Sequence, residues 1–128
     1  MLKNAAQKTP QKGIFVVNNN VEDVFISYAE LAEKSRKIAH VLNSYYAIQP
    51  KSKIIISVAK SEDFIMLFWG CVFANCVPVL MPSVRLNNKE TVDYDRFKNA
   101  KEILGNPILI SNDFNLCNAY ENNNAIYI

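Results

Sequence analysis

Apolar and polar residues alternate in short blocks along this chain, and the period of the alternation changes from block to block. Residues 13–17 (GIFVV) and 24–27 (VFIS) are β-rich runs. The stretch NNNVED between them is rich in turn formers, which predicts an antiparallel hairpin. At Ser27 the period becomes helical. S-Y-A-E places a hydroxyl at an N-cap and Glu30 three positions on, the pattern of a capping box. Leu31, Ser35, Ile38, Leu42 and Tyr45 then follow at spacings of four, three, four and three, one stripe down a helix that Pro50 ends.

Residues 53–58 (KIIISV) form the continuous apolar run expected of a strand buried on both faces. Ser61, Glu62 and Asp63 put a cap and two acids at the start of a second helix, 64–75. That helix is apolar nearly all round, so it is expected to be buried between layers. Residues 77–81 read as a third core strand ended by Pro82, and 83–92 (SVRLNNKETV) as a polar loop. Residues 94–104 set Phe97, Ala100 and Leu104 on one side of a helix that Gly105 stops. Residues 107–110 (PILI) and 125–128 (AIYI) read as two more strands.

This order predicts an α/β fold: a three-layer, mostly parallel sheet with helices on both faces, preceded by a short β-hairpin. Residues 1–12 are polar and read as a flexible leader. Residues 13–128 read as one domain, and the 128-residue length suits one. No internal repeat interrupts it, although asparagine triplets occur at 18–20 and 122–124.

Composition narrows the class. Half the residues are hydrophobic and a fifth charged, which excludes a disordered chain. The net charge is +2, and the densest basic patch, Lys34, Arg36 and Lys37, is interleaved with Glu30 and Glu33. A solvated helix face accounts for that better than a nucleic-acid interface. Three cysteines, Cys71, Cys76 and Cys117, form no C-x-x-C pair, so a reduced, cytoplasmic chain is expected. The lone histidine, His40, leaves a zinc site or a Cys-His pair short of partners. The run FIMLFWGCVFANCVPVLM at 64–81 is long enough to cross a bilayer, yet Asn75 and Pro78 interrupt it, so a helix and then a strand are expected instead of a membrane span.

The chemistry is sparse. Three well-separated glycines, Gly13, Gly70 and Gly105, cannot write a phosphate-binding loop. No G-x-S-x-G elbow occurs. The adjacent acids Glu62 and Asp63 read as helix-start residues, and Glu22 and Asp23 as turn residues. Phe64, Phe68, Trp69 and Phe73 recur at helical spacing as core packing does. The expected sets of catalytic, cofactor-binding and metal-binding residues are therefore all empty.

Two segments in order carry a resemblance. Ser27-Tyr-Ala-Glu-Leu31 with Ser35, Ile38, Ala39 and Leu42 is one. The other is Lys53-Ile-Ile-Ile-Ser57 with Ser61-Glu-Asp-Phe-Ile65, Phe68-Trp-Gly-Cys71 and Phe73-Ala-Asn-Cys-Val-Pro-Val79. Together they resemble the N-terminal segment of the adenylate-forming (AMP-dependent synthetase/ligase) superfamily, which holds acyl-CoA synthetases, fatty acyl-AMP ligases and the adenylation domains of peptide synthetases. Residues 94–110 are similar to the segment that follows. Asn75 stands where that family usually has glycine, a position of left-handed backbone that asparagine also supports.

The resemblance implies a partial domain: the first subdomain of a ligase that activates carboxylates with ATP and Mg and can load a phosphopantetheine carrier protein in polyketide or nonribosomal peptide assembly. The family's phosphate loop and its other nucleotide motifs are not written in this sequence, so no cofactor is expected on this stretch and no catalysis from it alone. Its implied partners are the remainder of the ligase domain and an acyl or peptidyl carrier protein, with no nucleic acid. A stand-alone α/β protein-interaction module is the alternative reading, and a flavodoxin-like binder a third.

Overall fold

A computed structural model describes residues 1–17, 22–84, 92–105, 107–120 and 124–128. Most of the 18–23 turn, most of the 83–92 loop, Asn106 and most of the second asparagine triplet lie outside the described residues.

The predicted hairpin is formed by β1 (Gly13–Val16) and β2 (Val24–Ser27), which pair antiparallel with Gly13 opposite Ser27. Ser27 then caps α2 (Tyr28–His40), its Oγ accepting from the Glu30 amide at 3.1 Å. The Glu30 carboxylate meets Lys34 at 2.9 Å, and Glu33 meets Lys37 at 3.3 Å. Lys34 and Lys37 of the basic patch are thus in solvent-facing i,i+4 pairs, while Arg36 lies over the Phe73 ring.

Leu31, Ser35 and Leu42 of the stripe are buried, but Tyr45 is 79 % exposed. Its placement corrects the sequence reading. Residues Val41–Tyr45 form a π-helical turn in which the Tyr46 amide bonds the Val41 carbonyl, five residues back, at 3.1 Å. The wider turn rotates Tyr45 off the packed face.

β3 (Lys53–Ser57) is the centre of the molecule. Ile54, Ile55 and Ile56 have no exposed surface. Because side chains alternate across a strand, Ile54 and Ile56 join one core and Ile55 the other. α3 (Ser61–Phe73) follows with Glu62 and Asp63 in its first turn. Its N-cap is Lys60 and not Ser61, which lies one position inside. Burial is also more selective than expected: Leu67, Gly70 and Cys71 are buried, while Val72 is 39 % exposed. Its tightest neighbour is α2, since a Cβ on Gly70 would meet the side chain of Ile38, 2.8 Å from Ile38 Cβ.

The helix closes in a Schellman motif. The Cys76 amide bonds Cys71 O at 2.9 Å, the Asn75 amide bonds Val72 O at 3.0 Å, and Asn75 has φ 64°. The 64–81 run is accordingly a helix, a left-handed turn and a strand.

That strand, β4 (Val77–Leu80), is an edge strand and not the core strand expected, with Val77 46 % and Leu80 54 % exposed. Pro78 explains its place, because a residue without an amide N–H is tolerated only where no neighbour needs one. α4 (Val92–Leu104) buries Phe97 and ends at Gly105, φ 65°. β5 (Ile108–Ser111), α5 (Phe114–Ala119) and β6 (Ala125–Tyr127) complete the chain. α5 was not expected. It is short, and Asp113 starts it by accepting the Asn115 amide at 3.1 Å.

The four later strands lie parallel in the order β4-β3-β5-β6. On one face Ile54, Ile56, Ile110 and Ile126 pack with α2 and α3; on the other Ile55 and Leu109 pack with Phe97 of α4 and Leu116 of α5. The hairpin and the first half of α2 build a third cluster against Ile65, Met66 and Trp69 of α3.

Residues 1–12, read as a flexible leader, carry a further helix, α1 (Leu2–Lys8). Leu2 is only 4 % exposed, seated with Val16, Ile26 and Leu31. Pro10 and Lys12 then bond the Ala29 and Tyr28 amides through their carbonyls. One docked leucine and two backbone bonds hold what its polar sequence left open.

Candidate functional site

In an open parallel sheet the natural crevice lies at the carboxyl ends of the strands where the winding direction reverses. Here β3 leads to β4 on one side, and the chain then crosses back to β5 on the other. The reversal brings the last residues of β3 and β5, Ser57 and Ser111, opposite one another in register, both without exposed surface. Their hydroxyls are committed to the chain itself. Ser57 Oγ donates to Pro82 O at 3.2 Å and accepts from the Val84 amide at 2.9 Å. Ser111 Oγ accepts from the Asp113 amide at 3.0 Å. The switch point therefore works as a latch for the segments leaving β4 and β5. Sequence reasoning passed over both serines, though each is the hydroxyl that ends a buried isoleucine-rich run.

Two openings flank the sheet. An apolar groove of about 270 Å³ runs between the end of α2 and β6, bounded by Val41, Leu42, Leu67, Ile126 and Ile128, with Lys37 as its one charged lining residue. A polar cleft of about 460 Å³ sits at the amino ends of the strands, bounded by Gln49, Lys51, Lys53 and Gly105.

The titratable residues are dispersed. His40 ends α2 on the surface, with Ser44 Oγ 3.5 Å from Nδ1 as a neighbour. Among the described residues no group of three His, Cys, Asp or Glu could hold a metal ion. Burial, with a smaller contribution from the neighbouring Cys76, pushes the Cys71 thiol up to about 12. Burial also raises Cys76 and Cys117, the latter with help from Asp113. Neutral thiols in these places are packing groups rather than nucleophiles. Trp69 packs edge-on to Phe68 and tilted to Phe73, and both Trp69 and Phe73 lie against the hairpin cluster. Phe64, Trp69 and Phe73 are thus half-buried against the core clusters, while Phe68, also half-buried, joins none of them. Among the described residues no helix is long and apolar enough to cross a membrane.

Comparison with known proteins gives these features a context. The profile of the family described as AMP-binding enzyme matches residues 2–90. A nonribosomal peptide synthetase, pngA of Aspergillus terreus, is 28 % identical over 94 residues, 71 % of this chain and 10 % of its own length. The structure of McyG A-PCP complexed with phenylalanyl-adenylate superposes with a TM-score of 0.77 at 27 % identity, covering 91 % of this chain and 18 % of that one. A fatty acid AMP ligase from Legionella pneumophila shares the fold, with a TM-score of 0.77 at 17 % identity over 98 % of this chain and 22 % of that one. The chain thus spans about a tenth to a fifth of the length of these relatives.

Proposed function

The chain belongs to the AMP-binding enzyme family, and from that premise we propose that it is the opening scaffold of a domain that activates a carboxylic or amino acid with ATP. The observation that carries this reading is the agreement between its architecture and its extent. The hairpin, the parallel sheet and the helices on both faces follow an adenylation domain over 91 % of this chain, yet they amount to 18 % of the solved chain.

A carboxylate attacking the ATP α-phosphate builds negative charge that positioned cations and backbone donors must stabilise. The 128 residues contain three scattered glycines and no phosphate-cradling motif. The switch-point hydroxyls, which stand where such a fold would meet a ligand, are already bonded to their own chain. ATP and Mg²⁺ would be held by the rest of the domain. What this layer contributes is rigidity: a sheet buried on both faces, a helix pair locked at Gly70 and a latch at Ser57.

The likeness to McyG A-PCP supports loading of a carrier protein, and the likeness to a nonribosomal peptide synthetase supports a nonribosomal peptide pathway for it. Free, neutral cysteines suit a reducing cytoplasm. Titration calorimetry with MgATP tests the division of labour. No binding heat is expected from residues 1–128. Saturable binding would assign this layer a nucleotide site and overturn its role as scaffold alone.

A further inference from the structure

We infer that Cys71 and Cys76 are a paired-thiol modification site, which a small peroxide converts to a disulfide across the corner where α3 turns into β4. The pairing rests on the closing turn of the helix. A Schellman motif brings together the side chains at its first and last positions, and here both positions are cysteine. The Cys76 amide bonds Cys71 O at 2.9 Å. Covalent geometry then holds the two Cα atoms at most about 6.8 Å apart, inside the span that a disulfide accepts. Both side chains belong to one core cluster, and Cys76 is close enough to contribute to the raised Cys71 thiol.

The two thiols differ in access. Cys71 has no exposed surface, whereas Cys76 is 7 % exposed. The Cys76 thiol donates to Gln49 O at 3.8 Å and to Ala74 O at 3.7 Å. Gln49, Ala74 and Asn75 line an open cleft of about 410 Å³. Cys76 Sγ therefore sits under the floor of that cleft, with Cys71 deeper in the core. Topology sets Cys117 apart from the pair. Cys76 leads into the amino end of β4, while the Cys117 thiol donates to Ser111 O at the carboxyl end of β5. The strands are parallel, so these are opposite ends of the sheet.

In the first step Cys76, as its thiolate, breaks the O–O bond of the peroxide and becomes a sulfenic acid; the hydroxide released takes the proton that Cys76 lost. Cys71 sulfur then attacks Cys76 Sγ, the S–O bond breaks, and the oxygen leaves as water with the Cys71 proton. Two thiols are oxidised to one disulfide, and one hydrogen peroxide is reduced to two waters. Burial keeps both thiols neutral at rest, so the reaction is slow and the reduced pair is the standing state. The product is a clasp. Asn75 O already accepts the Lys51 amide, so the new bond fixes α3, β4 and the entrance of β3 as one corner.

Exposure of the folded chain to millimolar hydrogen peroxide tests this, with thiols counted in denaturant and cross-links placed by peptide mass mapping. A Cys71–Cys76 disulfide is expected, and dithiothreitol should reverse it. In the Cys117→Ser chain the thiol count should fall from two to none through the same bond. Cys71→Ser should instead leave a sulfenic acid at Cys76 that dimedone captures. Circular dichroism establishes that each variant is folded. Cys71 and Cys76 both remaining thiols after treatment would overturn the inference. So would a cross-link from Cys76 to Cys117, or oxidation of Cys76 beyond the sulfenic acid with Cys71 left reduced.

Discussion

Asn75 shows how one residue carries a change of direction. With φ 64° it holds left-handed backbone, its amide bonds Val72 O, and its own carbonyl accepts the Lys51 amide at 2.7 Å. That one position turns α3 back into β4 and ties the turn to the entrance of β3. A residue with a plain Cβ should be strained there, by about 1 kcal/mol for Asn75→Ala. Asn75→Gly should be neutral or slightly stabilising, because glycine adopts the conformation without strain but enters folding from a more disordered chain. Urea denaturation of the two variants checks the order, with the alanine midpoint lowest. This geometry was readable in the sequence, since an asparagine standing in place of a glycine marks a left-handed site. Gly70 was less readable. Only the packed structure shows that the Ile38 side chain occupies the space a Cβ would need.

At the scale of elements, strong periodicity translated directly. β3, α2 and α4 lie where the apolar pattern put them, and the capping hydroxyl of Ser27 does what its spacing implied. What remained hidden depends on neighbours. The apolar run of β4 reads as core, but Pro78 within it is the mark of an edge strand, and the exposure of Val77 and Leu80 follows from that place in the sheet. α1 and α5 are too short for a period to be visible, and each is set by one contact, Leu2 in its pocket or Asp113 at its cap. The π-helical turn at Val41–Tyr45 shifts the phase of the stripe and takes Tyr45 with it. The Ser57–Ser111 meeting was not legible in the sequence, because it depends on the register of β3 on β5. Ser57 is the element-scale latch. Ser57→Ala leaves the buried Val84 amide without the hydroxyl that accepts from it and should cost about 1–3 kcal/mol. A drop in melting temperature, with faster hydrogen exchange at the Val84 amide than at Ile55, is the expected result.

At the scale of the whole molecule, a four-stranded parallel sheet is covered on both faces, with Pro78 on its β4 edge and an apolar groove between the end of α2 and β6. The AMP-binding enzyme family gives that layer its context. We propose that residues 1–128 frame an adenylating domain without performing its reaction. ATP–pyrophosphate exchange, run with a panel of carboxylic and amino acids, tests that on two proteins: residues 1–128 alone, and the same residues joined to the remainder of an adenylating domain. Exchange with at least one acid is expected from the longer protein and none from residues 1–128. Exchange by the short chain, or none by the longer one with any acid, would contradict it.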